Sequence, residues 1–206
     1  MAHPKYIAVA GNIGCGKSTL VDFICRTYKV EPFFEPNATN PYLVDFYADM
    51  KRWAFHSQIY FLTHKFRIHQ ELERQRANRT VIQDRTIYED AEVFATNLYR
   101  RRFITARDWR VYRDLYETIL TSLQAPDLMI YLRATVRTIR HRIKLRGRPE
   151  EQAIPVAYLR NLNQLYEEWF VGYKRSPTLV LATDDLYYMS DLIHRLDVLK
   201  TIEKHL

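Results

Sequence analysis

Eight residues near the start of the chain, Gly11-Asn12-Ile13-Gly14-Cys15-Gly16-Lys17-Ser18, follow the spacing G-x-x-x-x-G-K-[ST]. Glycines at those positions let backbone N–H groups wrap phosphate oxygens, and a lysine in seventh place reaches the outer phosphates. Ser18 supplies an oxygen suited to Mg²⁺, and Thr19 continues the turn into the next element. Three further groups could work on a phosphate held there. Glu35 closes an apolar stretch and could accept the proton of an attacking hydroxyl, although it could equally cap a strand or join an ion pair. Asp84-Arg85 could organise a metal ion and hold an attacking oxygen, or could form a buried structural pair. Arg142, Arg146 and Arg148 suit a segment that neutralises charge on a moving phosphoryl group, or else form an exposed basic helix face.

The elements around these residues alternate. Residues 6–10 read as a short buried strand ended by Gly11, and from Lys17 to Tyr28 apolar residues recur at helical spacing. Further strands are predicted over 32–35, 80–83, 127–132 and 178–181. Helices are predicted over 50–76 and near 86–99, 107–123, 135–146, 155–170 and 190–204. Strand and helix in alternation predict an α/β fold, a doubly wound parallel five-stranded sheet with helices on both faces. In such a sheet the carboxyl ends of the strands line the ligand crevice, where Gly11, Glu35 and Asp84-Arg85 all fall. No linker divides residues 1–206, so one domain is expected, with a polar lid at about 142–153.

Composition excludes several classes. The 206 residues are 47% hydrophobic and 27% charged with only 5 glycines, which argues against disordered and fibrous chains. Charges interrupt every apolar run before the ~20 residues a bilayer span needs. Met1-Ala2-His3-Pro4 leads directly into the first strand, and a cytoplasmic protein with free thiols at Cys15 and Cys25 is expected. The seven histidines lack the H-x-x-x-H spacing of a zinc site, and there is no Asn-Lys-x-Asp sequence to read guanine in a GTPase. A net charge of +7 points to a phosphate-bearing partner, either a nucleotide or nucleic acid. The tight grouping of arginines at 137–148 favours a local phosphate clamp.

Taken in order, five motifs resemble the deoxynucleoside kinase family, its bacterial-type deoxyadenosine and deoxyguanosine kinases in particular. They are the glycine loop, Glu35-Pro36, Phe46-Tyr47 with Arg52-Trp53-x4-Gln58, Asp84-Arg85-Thr86-x-Tyr88-x-Asp90 with Phe94-Ala95-x-Asn97-Leu98-Tyr99, and Leu145-Arg146-Gly147-Arg148-x-Glu150-Glu151-Gln152. The resemblance implies transfer of the ATP γ-phosphate to the 5′-hydroxyl of a deoxyribonucleoside with Mg²⁺ as cofactor. Glu35 then matches the general base, Lys17 and Arg85 the contacts to phosphate and 5′-oxygen, and Ser18 with Asp84 the Mg²⁺ environment. Tyr47 and Glu151 match the partners of the sugar 3′-hydroxyl, and Gln58 the group that pairs with the base. Trp53 and Phe94 match the walls, with helix packing an equal reading of both.

Lys65 and Asp90 fall where purine- and deoxycytidine-accepting members carry a basic residue and an aspartate and thymidine-preferring members carry small or apolar residues. Asn40-Pro41-Tyr42 with Phe46-Tyr47, and the run Gln83 to Asp90, resemble the bacterial-type deoxyadenosine and deoxyguanosine kinases, so deoxyadenosine is expected, with deoxyguanosine and deoxycytidine as secondary substrates. Lysine in place of the usual arginine loses the planar bidentate contact. Asp184, at the head of 184–189, is expected over the donor adenine. A homodimer and feedback inhibition by a deoxynucleoside triphosphate are implied in the same way. Two rivals stay open: a thymidylate-type monophosphate kinase, and a basic nucleic-acid-binding protein built on the same glycine loop.

Overall fold

The structure is a computed structural model that describes residues 5–34, 40–185, 199–200 and 202–203. Five strands run parallel in the order β2-β3-β1-β4-β5: β1 Tyr6–Ala10, β2 Glu31–Phe33, β3 Val81–Asp84, β4 Leu128–Arg133 and β5 Thr178–Ala182. From β1 the chain crosses to β2 and returns through β3 on one side, then passes to β4 and β5 on the other, so the order reverses beside β1. The glycine loop leaves the sheet at that reversal, where α/β sheets open their crevice. Every residue of β1 is fully buried, as expected for the central strand of a sheet covered on both faces.

Helices α1 Lys17–Thr27, α3 Met50–Arg76, α6 Ala106–Leu120, α7 Val136–Arg146 and α9 Val156–Gly172 flank the sheet, close to their predicted spans. Short helices α2 Leu43–Ala48 and α8 Pro149–Gln152 were not legible in the sequence, being under two turns long. The helix predicted near 86–99 is three pieces: α4 Ile87–Glu89, a π-helical segment Asp90–Ala95, and α5 Thr96–Arg100. A π turn adds one residue to the helical circuit and re-aims the side chains within it, a feature common at functional sites. The strand predicted over 32–35 ends at Phe33. Glu35 lies outside the described residues, as do most of the predicted helix 190–204 and residues 186–189. Among the described residues no helix is long and apolar enough to cross a membrane.

Candidate active site

The carboxyl ends of β1 and β3, with α2, α3, the π segment and α8, enclose a cavity of about 540 Å³. Its walls include Gly14, Lys17 and Ser18 of the loop, Asp84 and Arg85 after β3, and Tyr47, Gln58, Asp90, Phe94 and Glu151. The structure therefore gathers around one space residues that are up to 145 positions apart in sequence, Ile13 to Tyr158.

The loop is held tightly at its base. Gly14, at φ 76°, stands where a Cβ would come within 2.9 Å of the Ile143 side chain, so only glycine lets the loop rest on α7. The Lys17 ammonium donates to the carbonyls of Gly11 at 2.9 Å and Asn12 at 3.0 Å. Asn12 turns its own side chain toward α9, donating to Leu159 O and Asn163 Oδ1. The Ser18 hydroxyl donates to Asp84 Oδ2, while the second oxygen of Asp84, Oδ1, is buried with no hydrogen-bond partner among the described residues. This oxygen-only pair suits a hard divalent cation whose remaining ligands are water and phosphate. Among the described residues there is no cluster of three or more His, Cys, Asp or Glu.

Arg85 follows β3 in a left-handed conformation at φ 59°, which costs a non-glycine residue about 1 kcal/mol. The turn directs its guanidinium to the Gly11 carbonyl at 3.1 Å and across the face of Phe94, 4.4 Å from the ring centre. Beneath it lies Glu89, which the sequence reading did not single out. This fully buried carboxylate accepts from Gly11 N at 3.0 Å, Thr86 N at 2.9 Å and the Tyr166 hydroxyl at 2.9 Å, and stands 3.9 Å from Arg85 Nε. Burial pushes the Glu89 carboxyl above its ordinary value, and Arg85 and Lys17 pull it back. The signal for Glu89 was the Thr86-x-x-Glu89 spacing of a capping box, which the structure forms at the start of α4.

At the other end of the cavity the walls are those of a pocket for a planar group. Gln58 is 3% exposed and its Oε1 has no hydrogen-bond partner among the described residues. Asp90 is equally buried, and Phe94 closes one side. Tyr158, also on the wall, is a buried phenol, and burial raises its pKa. Between the two ends, Glu151 accepts from both Arg146 Nη2 and Arg148 Nη1, the latter at 3.4 Å.

Several predicted residues stand elsewhere. Lys65, expected at the base, is not on the cavity wall: fully buried on α3, it donates to the carbonyls of Arg85 at 2.6 Å and Asp84 at 3.3 Å. Trp53 stacks on Tyr42 at a ring separation of 5.6 Å, outside the lining. Arg142 is apart from Arg146 and Arg148, donating to the carbonyls of Cys15 at 2.9 Å and Thr183, and so clamps the loop to the end of β5. Asp184 accepts from Thr135 N at 2.9 Å and from the Thr138 hydroxyl, tying the end of β5 to the start of α7. Cys15 and Cys25 are both free thiols.

Comparison with known proteins gives a consistent result. The chain is 34% identical over 187 residues to the deoxyadenosine/deoxycytidine kinase of Bacillus subtilis, covering 90% of this chain and 85% of that one. It is also 34% identical over 205 residues to a deoxyguanosine kinase of Lactobacillus acidophilus, covering 95% and 88%. Overall identity thus leaves the choice of base to the site. The structure of a deoxyadenosine kinase from M. mycoides with bound dCTP superimposes with a TM-score of 0.81 at 32% identity, covering 98% of this chain and all of that one. The deoxynucleoside kinase model matches residues 7–206, and with the phosphate loop and the buried amide-and-acid pocket in one cavity, the chain belongs to the deoxynucleoside kinase family.

Proposed function

We propose that the protein phosphorylates the 5′-hydroxyl of deoxyadenosine with ATP, taking deoxycytidine and deoxyguanosine as secondary substrates, in the cytoplasm. The carrying observation is the buried pair on the cavity wall opposite the phosphate loop, Gln58 and Asp90. A glutamine amide offers a donor and an acceptor side by side, the complement of an adenine edge. An aspartate accepts from an exocyclic amino group, which adenine, cytosine and guanine carry and thymine lacks. Tyr47 and Glu151 border the space between base and phosphates and suit the sugar 3′-hydroxyl. Glu151 would exchange its arginine partners for that hydroxyl, freeing Arg146 and Arg148 to face the transferring phosphoryl.

Lys17, the loop amides and Arg85 bind and orient the phosphates. Ser18 and Asp84 would hold Mg²⁺ together with the nucleotide, and the ion would supply neutralisation of the phosphate charge. The 5′-oxygen forms a bond to the γ-phosphorus as the bond to the ADP oxygen breaks. Glu35, by its match to the family's general base, takes the hydroxyl proton. The chain folds as one domain with residues 142–153 as its lid, acts as a homodimer, and is feedback-inhibited by a deoxynucleoside triphosphate, made from its monophosphate product by later phosphorylations. The test is ADP release with Mg-ATP and each of deoxyadenosine, deoxycytidine, deoxyguanosine, thymidine and dTMP, with Glu35→Gln as control. Highest kcat/KM on deoxyadenosine, lost in the control, is expected. A preference for thymidine would overturn the base reading, and turnover of dTMP alone would overturn the acceptor class.

A further inference from the structure

Lys65 is fully buried, yet it stands off the wall of the substrate cavity. A buried ammonium is costly unless polar groups replace its water. Two of those groups are backbone carbonyls of the residues that carry the phosphate chemistry, Arg85 O at 2.6 Å and Asp84 O at 3.3 Å. The geometry has a simple origin. Lys65 lies seven residues beyond Gln58 on α3, which keeps both on one buried stripe and moves the lysine about 10 Å along the axis. That displacement brings it beside the end of β3.

The residue whose carbonyl it binds most closely is Arg85, with its left-handed backbone at φ 59°. A non-glycine residue stays in that region only where its surroundings fix it. On one side the Arg85 N–H donates to Val9 O at 3.0 Å, continuing the β3–β1 ladder. On the other, the turn swings its carbonyl toward α3, where Lys65 receives it. The same turn aims the Arg85 guanidinium at Gly11 and Phe94 and leaves the Asp84 carboxylate on Ser18.

We propose that Lys65 is a positioning residue for phosphoryl transfer, acting through the carbonyls of Asp84 and Arg85 to hold this strained turn whichever base is bound. The proposal rests on the kinase reading above. A positioning role affects kcat on every nucleoside alike, because misplacing Arg85 and Asp84 by an ångström costs on the order of 10²-fold. A base-reading role would instead change the ratios between nucleosides.

The experiment compares wild type with Lys65→Met, which keeps length and loses the donors, and Lys65→Gln, which keeps N–H donors on a shorter stem. For each, kcat and KM are measured per folded molecule on deoxyadenosine, deoxycytidine and deoxyguanosine, and amide hydrogen exchange is followed at Arg85. The expected result for Lys65→Met is a kcat lower by about 10²-fold on all three, KM values within about threefold, unchanged preference, and faster exchange at Arg85. Lys65→Gln should recover part of the lost kcat, and it carries the same ratio test should the methionine variant fail to fold. A shift of tenfold or more in base preference, normal kcat once the folded fraction is counted, or unchanged exchange at Arg85 would each overturn the proposal. A wild type with no turnover on any nucleoside would overturn the kinase reading itself, and the proposal with it.

Discussion

The floor of the cavity and the segment that faces it from α7 and α8 both carry charged side chains for phosphate, but they hold them by different means. On the floor, Lys17, Asp84, Arg85 and Glu89 are almost fully buried; backbone amides and carbonyls hold Lys17, Arg85 and Glu89, and the Ser18 hydroxyl holds Asp84. Across from it, Arg146 and Arg148 are exposed residues held by a single carboxylate, Glu151. Buried charges bonded to backbone cannot move without leaving polar groups unpaired, at a cost of about 1–3 kcal/mol each. Glu151 is itself buried, but the two arginine ends reach solvent, where partners exchange readily. One half of the site is thus preorganised and the other adjustable, the division needed when phosphates must be placed accurately and substrates must also enter.

The largest test of this contrast is Glu89→Gln. An amide cannot accept from Gly11 N, Thr86 N and Tyr166 together, so kcat should fall about 10²-fold and stability by about 2–3 kcal/mol, read by steady-state kinetics and urea unfolding. If stability alone fell, the buried floor would be scaffold without catalytic consequence.

A second test acts at the opposite end of β1. His69 packs edge-on against Tyr6, and burial, with Arg76 adding to it, lowers its pKa from 6.5 to about 4. The folded state therefore keeps the neutral ring. Stability from this group is full above pH 6.5 and is lost as pH falls from 6.5 toward 4, by about 2 kcal/mol between pH 7 and 5. His69→Gln should remove that part of the acid slope in urea titrations, leaving the opposite slope of Glu73, whose carboxyl burial raises. His69 lies off the cavity wall, one turn of α3 beyond Lys65, so kcat per folded molecule should stay within a few-fold of wild type.

On the adjustable side, Arg146→Lys keeps charge but loses the fork. It should lower kcat about tenfold with stability within about 0.5 kcal/mol of wild type, and a large loss of melting temperature would place Arg146 with the rigid half. The smallest expected effect is that of Gly147→Ala. Gly147 ends α7 at φ 69° with open space around a Cβ, so only backbone strain of about 1 kcal/mol is expected, with turnover within a few-fold.

Legibility in the sequence followed the same division. The glycine loop and Asp84-Arg85 were readable because their chemistry depends on local spacing, a strand end followed by a turn. Arg142 looked equivalent to Arg146 and Arg148 because helical spacing gives a shared face but not what that face meets. In the structure it meets the loop carbonyl at Cys15 and the end of β5 at Thr183. Glu89 carried only a capping-box spacing, and nothing local shows that the same carboxylate also reaches Gly11 and Tyr166, 78 and 77 residues away.

The sequence by itself determined the alternation of strands and helices, the parallel sheet and the class of chemistry at the loop, since hydrophobic period and glycine spacing are local properties of the chain. Tertiary structure decided the direction of each long side chain. A lysine two turns beyond Gln58 can read a base or hold a backbone carbonyl, and only the packing of α3 against the end of β3 put the Arg85 carbonyl within 2.6 Å of Lys65.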